Sequence, residues 1–428
     1  MQALARRLDG RLHYAWVASF VVMLVLMVAA GLRSATGVLI IPLEQTFGWS
    51  RSTVSSSLSI GLLLFGFIGP FAAAAALRFG VRRTVCVALA MMVAGAGLSV
   101  FMTQSWQLLG TWGVLIGVAA GMMAMVLAAM VANRWFFARR GLAYGIFMAC
   151  TAGGQLIFLP LLAWITQRWG WQAMAATCAA GALVVIPIVL LLLPENPRAV
   201  GLLPYGATQE EPASERRGNP ITASLQTLRR AIGTLDFWIL GGTFMVCGLT
   251  TNGLIGTHLI PMCFEAGVPQ VMAAGLLATM GAFNMVGTTA AGWMSDKWDN
   301  RWLLFGYYSL RGVSLIYLPH SGFTIYGLTV FSVFYGLDWL ATGPATMRLL
   351  SNRFGRDDAT ILFGWIFLMH QLGAATAAWG AGFMRVLFGS YTEAFVTAGV
   401  VCFIGAALSL LVGRHSPPNS RGLQAAPA

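Results

Sequence analysis

Nine residues with chemical capacity stand inside otherwise apolar stretches: Arg33, Gln155, Asn252, His258, Asn284, Arg311, Asp338, His370 and Gln371. A charge at the centre of a hydrocarbon layer costs at least about 3 kcal/mol on insertion scales, so each charged one needs a partner or a task. Arg33 offers a planar, permanently charged fork that meets a carboxylate bidentately; the plainer reading is an arginine reaching out to headgroups. Asp338 is the one carboxylate deep in an apolar stretch, where an unpaired carboxylate takes a proton. Pairing with Arg311 is the economical structural arrangement, and a carboxylate that releases its arginine and takes a proton can also carry that proton. His370 is an imidazole, costly to leave unsatisfied at mid-membrane depth. His258 either gates and titrates or bonds a carbonyl near a helix end. Asn252 suits a hydroxyl, a keto group or a second carboxylate oxygen, and Asn284 is a further mid-membrane polar group; Gln155, His370 and Gln371 either converge on one site or each join helices through a hydrogen bond worth under about 2 kcal/mol.

The elements that position these residues follow from composition. The chain has 428 residues, 58% hydrophobic and 9% charged, against roughly 25% charged in water-soluble domains. Apolar runs near the 20 residues needed to cross a ~30 Å hydrocarbon core cover 14–43, 54–77, 84–103, 107–132, 141–166, 172–193, 236–263, 270–294, 302–319, 323–347, 358–386 and 391–413. An all-α membrane protein with twelve transmembrane helices is predicted. The longest polar stretch, Glu195 to Gly233, leaves no room for a soluble catalytic or nucleic-acid-binding domain. No nucleophile and base stand at enzymatic spacing. Cys86, Cys150, Cys178, Cys247, Cys263 and Cys402 are scattered singly, as packing residues are, so no metal and no cofactor is expected.

The net charge of +12 is a topology signal. Of the 26 basic residues, 21 fall at the N-terminus, in every second loop and at the C-terminus, including Arg78, Arg82, Arg83, Arg134, Arg139, Arg140, Lys297, Arg301, Arg348, Arg353 and Arg356. The positive-inside rule then predicts both termini in the cytoplasm. Arg33 lies about two-thirds of the way along the first span towards the outside. Arg311 lies nine residues into the ninth span and Asp338 nine residues before the end of the tenth, each about 14 Å deep. The basic start and the long apolar run after it make a retained first helix, since a signal peptide has a 7–15-residue apolar region. Trp16, Trp106, Trp169, Trp171 and Trp302 gather at span ends as interfacial anchors.

A shift of 219 superimposes the two halves. Pro42 falls on Pro261, Gly48 on Gly267, Asn133-Arg134-Trp135 on Asn352-Arg353-Phe354, Gly145 on Gly364 and Gly170 on Gly389. Two pseudo-symmetric six-helix bundles are predicted, at 1–193 and 236–413, with a linker at 194–235 and a cytoplasmic tail at 414–428. The linker is either a solvated tether or carries an interfacial amphipathic piece near Ile221 to Arg230. Under the same shift Arg33 falls on Asn252. Gly113, Gly117 and Gly121 in the fourth span read as close helix packing.

The loops after the second and eighth spans, Leu77-Arg78-Phe79-Gly80-Val81-Arg82-Arg83 and Gly292 through Asp296-Lys297 to Arg301, resemble the Gly-x-x-x-Asp-Arg-x-Gly-Arg loop of the major facilitator superfamily. The first copy has Leu77 where the acidic residue belongs, and only Asp296 keeps the carboxylate that in the family holds one conformation. Pro42-Leu43-Glu44 with Phe47-Gly48-Trp49-Ser50-Arg51, Pro197 with Gly201-Leu202-Leu203-Pro204, and Gly336-Leu337-Asp338-Trp339 are similar to strings of bacterial monocarboxylate-porter relatives. The resemblance implies a cavity lined by the first helix of each half, flanked by the fifth and eleventh. The better-known monocarboxylate carriers have an Asp and an Arg in the eighth helix; here that helix offers Asn284, so their coupling scheme does not carry over.

These readings converge on a secondary transporter of a small organic anion, a monocarboxylate foremost. It would work by alternating access with a proton as coupling ion, as a monomer in a bacterial inner membrane. Arg33, Asn252, Gln155, His370, Gln371, Asn284 and His258 are the expected substrate-binding residues, and Asp338, Arg311 and Asp296 those for coupling or gating. An exporter of drugs or metabolites and a membrane sensor that moves nothing are the alternatives. The scarcity of intramembrane carboxylates argues against cationic drugs.

Overall fold

The structure, a computed structural model, describes residues 13–49, 51–123, 125–208 and 219–413. Arg6, Arg7 and Arg11, the linker arginines Arg216 and Arg217, Ser50 and the tail 414–428 lie outside the described residues. Helix runs through every apolar stretch, and no strand occurs among the described residues. The first span is Tyr14–Phe47, and the second is the pair Arg51–Phe67 and Gly69–Phe79, with a 48° bend between Ile60–Phe67 and Gly69–Phe79. Val81–Ser99, Ser105–Trp135 and Arg140–Leu192 follow. The later spans, seventh to twelfth, are Leu235–Glu265, Gln270–Lys297, Asn300–His320, Ile325–Phe354, Arg356–Phe388 and Thr392–Ser409.

Among the described residues eight helices are long and apolar enough to cross a membrane, nine with the bent pair. One of the eight, Arg140–Leu192, has 53 residues, roughly 80 Å of helix against a ~30 Å core. Gly170 divides it with φ 86° and ψ 171°, so it supplies the fifth and sixth spans. The eighth and ninth spans complete the twelve; Asn284, Asp296, Arg301 and Arg311 make them less apolar. Leu63, Leu191, Val286 and Val386 are 62–82% exposed, as side chains facing lipid are. The molecule is an integral membrane protein.

The duplication reaches the backbone. Gly48 and Gly267 have φ 66° and 83°, and Gly170 and Gly389 have φ 86° and 76°. Both pairs match under the shift of 219 and stand where a helix must stop in a conformation that only glycine adopts cheaply. Helix contacts repeat as well. A Cβ on Gly117 would sit 2.7 Å from the Cα of Gly61, and one on Gly336 would sit 2.8 Å from the Cα of Met280. The same shift carries Gly117 to Gly336 and residue 61 to 280, so the second and fourth spans pack as the eighth and tenth do.

Two compact units result: 1–143 with 150–224, and 144–149 with 225–428. In the first, the chain leaving the sixth span is tied back by Tyr205, whose backbone bonds Trp135 and Phe137, and by Glu195. In the second, Asp236 at the start of the seventh span pairs with Arg353 and accepts the Gly413 N–H at 2.8 Å. Its core joins Leu254, Ile255 and Leu259 to Phe331, Tyr335, Phe395 and Cys402.

Candidate functional site

In the second unit the ninth and tenth spans place Arg311 and Asp338 in contact. Arg311 is fully buried and Asp338 nearly so. Arg311 Nε donates to Asp338 Oδ2 at 2.6 Å. Its Nη2 donates to the carbonyl oxygens of Asp338 and Trp339 at 2.6 and 3.0 Å. The α-helical run Ile325–Asp338 ends there and resumes at Thr342, so the guanidinium also caps an interrupted helix. Nη1 reaches Thr250 Oγ1 at 3.4 Å, and the rings of Tyr308 and Tyr335 lie 5.7 and 6.0 Å from the guanidinium carbon. These tyrosines donate in turn to the Thr243 and Thr250 carbonyls at 2.6 and 2.8 Å.

This arginine is saturated from within the bundle. Its fork is spent on Asp338, two carbonyls and a threonine, which suits an internal counter-ion better than a ligand clamp. Asp338 Oδ1, by contrast, is buried without a hydrogen-bond partner.

The same network continues along the seventh and eleventh spans. Thr342 Oγ1 donates to Cys247 Sγ at 3.3 Å, and Arg311 and His370 are further polar groups near that thiol. His370 is fully buried, flanked by Phe244 and Phe367, with Nδ1 3.3 Å from Gln371 Oε1 and Nε2 unpartnered. The spans meet there because Gly248 has no Cβ to strike the His370 carbonyl. Asn284 Oδ1 accepts from Thr288 Oγ1 at 2.7 Å and from the Leu340 N–H at 3.3 Å, which holds the eighth span to the break in the tenth.

Other expected residues fall elsewhere. Asn252 is exposed and lies in a π-helical stretch, Leu249–Ile255, of the seventh span; such widened turns recur at functional sites. One ring nitrogen of His258, Nε2, lies 2.9 Å from the Ala378 carbonyl, and the ring packs on Tyr391. Asp296 stands 3.8 Å from Arg348. In the first unit Arg33 is half-buried, its guanidinium carbon 5.3 Å from the Phe65 ring centroid. Gln155 is half-buried beside Gly154, which packs against the Met27 backbone of the first span. Among the described residues no group of three His, Cys, Asp or Glu is arranged to hold a metal ion.

Reading the sequence missed Thr250, Tyr308, Tyr335, Cys247 and Thr342. Helical spacing carried the signal: Tyr308 precedes Arg311 by three residues, Cys247 precedes Thr250 by three, and Tyr335, Asp338 and Thr342 share one face. It also missed Glu195. Where Leu77 leaves the first loop without an acid, the Glu195 carboxylate accepts the Arg82 N–H at 3.1 Å and stands 3.7 Å from Arg82 Nε. Arg134 Nη1 bonds the Glu195 carbonyl at 3.4 Å.

Comparison with known proteins agrees with this architecture. Residues 22–378 match the family described as the Major Facilitator Superfamily. The chain is 25% identical to the uncharacterised MFS-type transporter YcxA of Bacillus subtilis, over 92% of this chain and 93% of that one. It is 24% identical to monocarboxylate transporter 13 of Bos taurus, over 91% and 88%. The solved structure of the human organic anion transporter MFSD10 superposes with a TM-score of 0.69 at 13% identity, covering 92% of this chain and 99% of that one. The proton:xylose symporter XylE superposes with 0.67 at 18%, covering 95% and 96%. Twelve spans in two repeated sets of six and a match over most of the sequence lead to one conclusion: the chain belongs to the major facilitator superfamily and is a membrane transporter.

Proposed function

We propose that the protein carries a small organic anion, a monocarboxylate foremost, by alternating access with proton symport. Arg33 holds the carboxylate and Asp338 carries the proton. The observation that bears the anion reading is Arg33 itself, a permanent cation inside the first membrane span against the Phe65 ring. A guanidinium at that depth stabilises a desolvated carboxylate that has no counter-charge in lipid. The relatives named monocarboxylate transporters support the substrate class. Asn252, Gln155, His370 with Gln371, Asn284 and His258 shape the remainder of the binding region, and Asp296 with Arg348 takes part in gating. The segregation of basic residues supports cytoplasmic termini in a bacterial inner membrane, and the carrier works as a monomer.

A ligand that binds only the folded protein raises its stability by RT ln(1 + [L]/Kd), about 2.7 kcal/mol at a hundredfold excess over Kd. Melting the purified protein with monocarboxylates, dicarboxylates, tricarboxylates, aromatic acids and cationic drugs therefore tests the reading without a transport assay. Stabilisation by a monocarboxylate in the wild type and none in Arg33→Gln is the expected result. Stabilisation by cations alone, or by acids equally in the variant, contradicts it.

A further inference from the structure

We propose that the linker helix Pro220–Ala231 lies on the bilayer surface, with Ile221, Leu225 and Ile232 in the acyl boundary and Arg229 on the phosphate of an anionic lipid. The helix sorts its residues into three sectors. At about 100° per residue, Ser224, Thr227 and Ala231 share one sector, and all three are buried. Ile221, Leu225 and Ile232 share a second, centred about 110° from the first, and are 54%, 47% and 44% exposed. The Ile232 N–H bonds the Leu228 carbonyl, so the helical geometry extends that far. Gln226, Arg229 and Arg230 are exposed in the remaining sector.

A surface helix in water turns its apolar stripe inwards. This one turns small and hydroxyl residues to the protein and is fastened there by Asp358, which accepts from Thr227 at 3.4 Å and pairs with Arg230 at 3.3 Å. Its isoleucines and leucine are left facing out, beside the protein-facing side and away from the charged one. A helix at an interface is built this way: protein to one flank, acyl chains beneath, water above.

The stripe is continuous with surface that faces lipid. Leu235 and Trp238 at the start of the seventh span are 54% and 52% exposed, and the Trp238 indole N–H donates to the Ile232 carbonyl at 2.9 Å. Tryptophan at that level marks the headgroup region. Arg230 is engaged by Asp358, which leaves Arg229, at the border of the apolar sector, to meet lipid charge. The proposal holds whichever solute the protein carries.

The test uses the full chain in lipid nanodiscs, with Cys86→Ala and Cys150→Ala to remove the less buried thiols. An environment-sensitive fluorophore is placed at Leu225→Cys or Gln226→Cys, two exposed neighbours on different sectors. Brominated acyl chains should quench the probe at 225 about threefold more than that at 226, with the order reversed for aqueous iodide. Equal quenching of both by iodide would make the segment a solvated tether, and protection of both from either quencher would put protein over the stripe; each overturns the proposal. In discs containing phosphatidylglycerol, Arg229→Gln should lower bromine quenching at 225 to the level seen in phosphatidylcholine alone. No response to Arg229→Gln or to removal of the anionic lipid overturns the role given to Arg229.

Discussion

Arg311 grips Asp338 twice, through the Oδ2 carboxylate oxygen and through the backbone carbonyl, each at 2.6 Å. The ion pair and the break in the tenth span are therefore one feature. Moving the arginine away uncovers a buried carboxylate and frees the carbonyls of Asp338 and Trp339 together. Charge state and helix geometry are linked by contact, which is what a proton-driven conformational change requires.

Removing one partner strands the other charge in the core. Arg311→Met should cost about 3–5 kcal/mol, and adding Asp338→Asn should recover most of it, because a fully removed buried pair is far less costly than a broken one. A double-mutant cycle on thermal unfolding in detergent measures this. Additive losses would mean that the two side chains do not depend on each other.

Asp338→Asn cannot take a proton and leaves the buried Arg311 without its counter-charge, so its melting temperature should fall as well. Wild-type uptake should rise as the donor side is acidified, whereas the variant protein that still folds should show a flat pH profile. An unaltered pH profile in a fully expressed variant would remove Asp338 from coupling and leave it a structural residue.

The repeated glycine contacts make a paired prediction. Gly117→Val and Gly336→Val each force a branched side chain onto a facing backbone and should each cost about 1–3 kcal/mol, read as a fall in melting temperature. A large loss at one position with none at the other would show that the two close approaches are not equivalent.

Glu195 supplies the carboxylate that the first basic loop lacks, and it stands where a Cβ on Gly80 would fall. Gly80 has φ 96°, so Gly80→Ala adds backbone strain of roughly 1–3 kcal/mol to a clash with that carboxylate. Glu195→Ala in the same chain should relieve the clash and recover part of the loss in melting temperature. Full additivity would place the Glu195 side chain away from Gly80.

Hydropathy and the shift of 219 revealed twelve spans and their repetition because both are one-dimensional patterns. Gly48, Gly267, Gly170 and Gly389 could be matched before their positive φ angles were known, since each sits where an apolar run stops. The contact of Arg311 with Asp338 was legible from equal depth. The widened turn around Asn252 was not, because a change of hydrogen-bond register leaves hydropathy untouched. Nor was the place of His370 beside Cys247, which depends on Gly248 letting two backbones close up. Glu195 escaped notice because its partners, Arg82 and Arg134, lie 113 and 61 residues earlier in the chain.

Arg33 is proposed to recognise the carboxylate of a transported anion. Uptake of a labelled monocarboxylate into proteoliposomes, with the donor side acidic, tests it most directly in the wild type and in Arg33→Gln. A lost charge-assisted hydrogen bond of about 1.5–3 kcal/mol predicts a fall of roughly ten- to hundredfold in uptake at subsaturating substrate, with the melting temperature of the unliganded protein little changed. Uptake that persists at the wild-type rate in the variant would make Arg33 an interfacial anchor and contradict the account.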